Sequence, residues 1–144
     1  MSKQTDLEKT RFLNVDLDIY SSADLQPLVS TLGERVIVLY VGREKRTYSA
    51  HLELARVTKN ADSTIRHFCA LIESLPKAAR QLWNNAKNRD FNVGVRAGPQ
   101  PNSCRFALEA ETVKVASDVG ARIVLTVYGT EPRTLLPAEP RLGD

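Results

Sequence analysis

From Phe12 to Tyr20 apolar and polar residues alternate, with Leu13, Val15, Leu17 and Ile19 set against Asn14, Asp16 and Asp18. A period of two marks a β-strand with one buried and one wet face. This feature commits the chain to a sheet that keeps a polar side, with helices stacked on the other side only. Tyr48, Ala50, Leu52 and Leu54 repeat the pattern against Thr47, Ser49, His51 and Glu53, and Phe91, Val93, Val95 and Ala97 repeat it again.

Between these strands the spacing changes to three and four. Leu25, Leu28, Val29 and Leu32 form a helical stripe that starts from a capping-box-like Ser21-Ser22-Ala23-Asp24, tolerates Pro27 in its first turns and stops at Gly33. Ile65, Phe68, Cys69, Ile72 and Leu75 mark one face of a helix over 61–75, with an N-cap drawn from the polar stretch Thr58 to Ser63. Pro76 opens a second helix, 76–88, capped by Ser74 and carrying Ala79, Leu82, Trp83 and Ala86 inward. A short helix covers Glu109 to Asp118. Val36 to Val41 is apolar on both faces and reads as an interior strand, joined by the Gly42–Lys45 turn into a hairpin. Cys104, Phe106 and Leu108 suggest a short fifth strand after the loop Gly98–Asn102, and Arg122 to Tyr128 a sixth.

Two of these stretches echo each other. Ser30 to Glu44 (STLGERVIVLYVGRE) aligns without a gap on Ser117 to Glu131 (SDVGARIVLTVYGTE), so that Gly33 meets Gly120, Arg35 meets Arg122 and Gly42 meets Gly129. Each glycine falls at an expected helix stop, before an apolar strand bound for the sheet centre. The expected fold is therefore α+β: a six-stranded, mostly antiparallel sheet with helices on one face, built from two β-α-β units in pseudo-repeat. The first six elements follow the β-α-β-β-α-β order of ferredoxin-like folds. One domain over 11–130 is expected, with a flexible lead-in at 1–10 and a proline-rich mobile tail at 131–144, where Leu135 and Leu136 are possible anchors.

The resemblance lies in DIYSSADLQPLVSTLG near the start and FALEAETVKVASDVGARIVLTVYG near the end, on either side of a long helical middle. Over residues 11–130 this pattern resembles the bacterial domain-of-unknown-function family numbered 4279. The resemblance implies an α+β domain without an established activity, some of whose relatives sit among toxin–immunity genes, and it carries no functional residues across.

Composition narrows the function classes. Apolar residues make up 42% and charged residues 26%, as in an ordinary folded soluble domain. The 20 basic and 17 acidic side chains leave a net charge of only +3, spread over turns, helix ends and strand faces, which does not point to nucleic acid. No signal segment or spanning stretch is visible, so no membrane partner is expected and the cytoplasm is the default location. Cys69 and Cys104 both fall among apolar neighbours and are expected as buried free thiols. With two histidines and no close spacing they offer no zinc site, and no metal or other cofactor is expected.

The candidate site is the wet sheet face. Asp16 and Asp18 point to the same side, and with His51, Glu53, Arg96 and Arg122 they form a candidate binding surface that could also serve as an acid–base or metal cluster. The ordinary alternative is a solvated face with cross-strand ion pairs such as Asp18 with Arg96 or Arg122. His67, beside its helix stripe, reads as a surface histidine. No nucleophile elbow, HExxH motif or phosphate loop occurs, so no catalytic residue is assigned. The leading expectation is a non-enzymatic module that binds another protein, immunity-like in one version, with a homodimer through a sheet edge also considered. A small-molecule-sensing ferredoxin-like domain is the alternative, and an enzyme using Asp16, Asp18, His51 and Arg96 ranks third.

Overall fold

The computed structural model describes residues 9–129. Strand β1 (Arg11–Ser21) leads through helix α1 (Gln26–Leu32) and a 3₁₀ turn (Gly33–Arg35) to the hairpin of β2 (Val36–Glu44) and β3 (Thr47–Leu54). Helices α2 (Ala61–Glu73) and α3 (Lys77–Asn84) return the chain to β4 (Asn88–Arg96). Helix α4 (Ala110–Asp118) and strand β5 (Arg122–Tyr128) complete the order. Over the described residues the result is an α+β fold with a mixed five-stranded sheet and four helices.

The sheet order is β2-β3-β1-β4-β5. β1 runs antiparallel to both β3 and β4, β2 antiparallel to β3, and β5 parallel to β4. Read from β4 the first four strands run 4-1-3-2, and the parallel β5 beyond β4 takes the whole sheet outside a ferredoxin-like order. Three sequence expectations are corrected here. The segment Cys104–Leu108 forms no strand, because the edge of β4 that it would need is taken by β5. Among the described residues the sheet therefore has five strands, and the second unit of the pseudo-repeat lacks its first strand. Among the described residues β2 and β5 are edge strands rather than central ones. Both echo segments keep their glycine stop, with Gly33 at φ +58° and Gly120 at φ +80°.

The alternation in β1 buries Val15, Leu17 and Ile19 against Ala50 and Leu52 of β3 and Phe91, Val93 and Val95 of β4. All four helices contribute to this one cluster, through Leu28 and Leu32, Ile65, Phe68 and Ile72, Trp83, and Ala116. They therefore cover a single face of the sheet. Helix boundaries move where caps compete. β1 runs on through Ser21, whose Oγ accepts from the Ala23 N–H, and α1 starts only after the Asp24 carboxylate has accepted from Gln26 N. Ser74 closes α2 rather than opening α3, since its N–H bonds back to Ala70 O. The α2 start is as read, with Asn60 Oδ1 accepting from Ser63 N at 2.9 Å.

Of the two thiols only Cys69 is buried; Cys104 is exposed, and both are free. Residues 9 and 10 of the expected lead-in are tied down, Thr10 N donating to Gln100 O at 2.8 Å. The tail at 131–144 lies outside the described residues. Among the described residues, no helix is long and apolar enough to cross a membrane.

Gly120 is needed twice over. Its positive φ suits glycine, and an added Cβ would stand 3.1 Å from Arg89 Nη2. Around Gly33, also at positive φ, nothing lies within 4 Å. Gly120→Ala should therefore cost about 1–2 kcal/mol and more than Gly33→Ala, as measured by urea denaturation; equal costs would dismiss the Arg89 contact as a constraint.

Candidate site on the open sheet face

The face of the sheet away from the helices is organised in register rows. One row crosses all five strands: Tyr40, His51, Asp18, Asp90 and Arg122. Asp18 and Asp90 stand directly opposite each other on antiparallel strands, an arrangement that repulsion disfavours. Each carboxylate is drawn to a partner on its far side. Asp18 Oδ1 lies 2.7 Å from His51 Nδ1, and Asp18 Oδ2 accepts from Asn92 Nδ2 at 3.4 Å. Asp90 takes a two-pronged contact from Arg122, with both N···O distances 2.9 Å. Such fork geometry is the strongest form of carboxylate pairing.

The neighbouring row is more acidic. Asn14 Nδ2 donates to Asp16 Oδ1 at 3.1 Å and to Glu53 Oε2 at 2.6 Å, so one amide serves two carboxylates. Partial burial pushes the Asp16 carboxyl up to about 6. The negative charges of Glu53 and Asp18 and a hydrogen bond with Glu53 add to this, against a smaller opposing effect of His51. Asn92 links this row to β5, its Oδ1 accepting from Thr126 Oγ1 at 2.7 Å.

Aromatic rings flank the histidine. The Tyr20 ring meets the His51 ring edge-on at 5.6 Å between centroids, and the Tyr40 ring is tilted against it at 6.0 Å. Burial, together with the nearby charges of Asp18 and Asp90, raises the Tyr20 hydroxyl above its ordinary value. With its proton on Nδ1, His51 donates to Asp18 and leaves Nε2 as an acceptor, the arrangement that orients an imidazole for proton transfer or for accepting a partner's hydrogen bond. Among the described residues no three His, Cys, Asp or Glu side chains converge as a metal site would require.

The structure thus brings together Asp16, Asp18, His51 and Glu53. Arg122 lies on the same face but pairs with Asp90, not with Asp18 as the cross-strand expectation had it. Arg96 sits at the far end of β4, in register with Arg11 and Tyr128, and joins none of these hydrogen bonds. His67 is half-buried, its Nδ1 2.8 Å from the Ser63 carbonyl. Sequence pattern alone does not single out Asp90, Tyr20 and Tyr40. Asp90 lies two residues before Asn92 and shares its face by alternation. Tyr40 was hidden, because the register of β2 shifts between Val38 and Tyr40 and re-phases the strand. Compared with protein-family models, curated proteins and solved structures, the chain has no match.

Proposed function

We propose that this chain is a non-enzymatic protein-binding module that meets its partner with the open face of its sheet. The observation that carries this reading is the Asp16–Asn14–Glu53 group beside Asp18: a half-buried concentration of negative charge on a broad face, bordered by tyrosines. Partial burial holds Asp16 protonated up to about pH 6, and the negative charges of Glu53 and Asp18, which outweigh the effect of His51, add to this, so the group is short of a balancing positive charge. A lysine or arginine of a partner would supply that balance. Tyr40 and Ile37, in register with His51 and Glu53, stand 46% and 48% exposed at the rim, and aromatic residues are enriched at protein interfaces. The same charge sets the face against phosphate backbones. An immunity-like role is the version that the resemblance to the family numbered 4279 suggests.

Affinity capture from native lysate with the wild-type chain and an Asp16→Asn/Glu53→Gln variant tests the reading. A stoichiometric partner should be retained by the wild type and bound about tenfold or more weakly by the variant. Retention should also be stronger at pH 7.5 than at pH 5, because Asp16 must lose its proton to pair with a cation. A partner held equally by both proteins, or none at all, would remove the support for this reading.

A second reading rests on the 2.7 Å contact between Asp18 and His51, which suits acid–base work on a small ligand. It would be favoured by a metabolite that raises the melting temperature of the wild type but not of a His51→Gln variant.

A further inference from the structure

We propose that β5 is the contact edge of a twofold homodimer in which two copies pair antiparallel through this strand and join their sheets into one. The inference is independent of the open-face reading and rests on three features of the strand.

First, the backbone of β5 is presented for pairing. Tyr128 O accepts from Ala97 N, so Tyr128 and, by alternation, Thr126, Val124 and Arg122 turn their peptide groups toward β4. Ile123, Leu125 and Val127 then turn theirs to the open edge. β5 contains no proline, lysine or register break of the kinds that protect an exposed edge. The opposite edge, β2, has its register interrupted between Val38 and Tyr40.

Second, the side chains that the helices leave uncovered are apolar. Ile123, Leu125 and Val127 lie in register with the buried Phe91, Val93 and Val95, yet they are 37%, 62% and 55% exposed. The core face of the sheet thus runs on past its helical cover. With Tyr128 these residues leave on the order of 400 Å² open per copy, about half of one partner's share in a standard interface. Helix α4, packed beside β5, exposes Val113 as well.

Third, the strand complements itself. A twofold axis at Leu125 places Leu125 opposite the partner's Leu125, Ile123 opposite the partner's Val127, and Val124 opposite the partner's Thr126. Arg122 falls opposite the partner's Tyr128, so no like charges meet. The outward-turned residues 123, 125 and 127 then fall in hydrogen-bonded pairs, each exchanging two backbone bonds. This self-complementarity favours a second copy over an unrelated strand.

The test is sedimentation equilibrium of the full chain, wild type against Leu125→Lys, with circular dichroism as the check on folding. The wild type should sediment as a dimer at micromolar concentration. Leu125→Lys, which sets two ammonium groups at the axis, should weaken association by about 30-fold or more. A Cys104→Ser/Leu125→Cys variant guards against misfolding of the lysine variant, because residue 125 meets itself at Cα spacing that a disulfide can span. It should cross-link into dimers under mild oxidation, whereas Cys104→Ser/Val124→Cys should not. A monomeric wild type would leave the edge to a different protein or to the chain's own residues after Gly129, and overturns the proposal. So does a dimer that Leu125→Lys leaves intact, or one that cross-links equally through either position.

Discussion

Trp83→Ala is expected to cost about 4 kcal/mol, a large part of the roughly 5–15 kcal/mol that holds a domain of this size folded. Trp83 is 1% exposed and is the largest fully buried side chain. It also ends the helical layer. Its Nε1 donates to Val119 O at 2.8 Å, satisfying a carbonyl at the end of α4, while the Arg89 guanidinium lies over its ring at 5.9 Å. Arg89 in turn donates to the carbonyls of Trp83, Asn84 and Ala86 and, across the gap, to Gly120 O at 2.9 Å. The C-terminal ends of α3 and α4 are thus tied through one indole and one guanidinium, just before β5 begins. Truncation removes the packed ring and leaves Val119 O without its donor. Trp83→Phe should keep most of the packing and cost only about 1–2 kcal/mol, the share of the hydrogen bond. Because Trp83 is the single tryptophan, unfolding of both variants is followed in urea by circular dichroism rather than fluorescence. A Trp83→Ala protein within about 1 kcal/mol of wild type would show that the helix ends are not joined there.

How much of this was legible depended on which physical constraint each residue answers to. The period of two in β1 is set by burial of one face, and Val15, Leu17 and Ile19 obey it. That same alternation gathers Asp16, Asp18, His51 and Glu53, since hairpin pairing and burial leave them no other side. Where a residue's place depends on distant pairing, local pattern does not reveal it. The run Val36 to Val41 looks central because an apolar strand is usually covered on both faces, yet Ile37, Val38, Leu39 and Tyr40 are 43–50% exposed at an edge. Charge alone pairs Asp18 with an arginine. Register decided otherwise, putting His51 on one side and Asp90, already held by Arg122, on the other. Cys104, Phe106 and Leu108 alternate like a strand, but alternation cannot reveal that no sheet edge is free to receive them. The two glycine stops are legible in local sequence alone, because local backbone geometry is what they serve.

Asp16→Asn is expected to stabilise the protein at pH 7.5 and to do almost nothing at pH 4. The sign follows from the raised pKa. The folded state holds the Asp16 proton up to about pH 6, whereas the unfolded chain releases it near 3.8. Between these values the native state binds more protons, so stability falls as pH rises from about 4 to about 6 and stays lower above that. Two units of difference correspond to about 3 kcal/mol at most. Solvent reaches this half-buried carboxyl, so a gain of about 1–2 kcal/mol on neutralisation is the expectation. The amide of asparagine can also donate to Glu53, where the ionised aspartate can only repel it. Urea denaturation of wild type and variant at the two pH values measures the difference directly. A gain of equal size at both would trace the effect to shape rather than charge, and a loss at pH 7.5 would show that the carboxylate is anchored by its neighbours. A stabilised Asp16→Asn protein that no longer captures a partner would tie the two findings together. The partial burial of Asp16 beside Glu53 and Asp18 would then be retained for what the face binds, since the fold alone is better off without it.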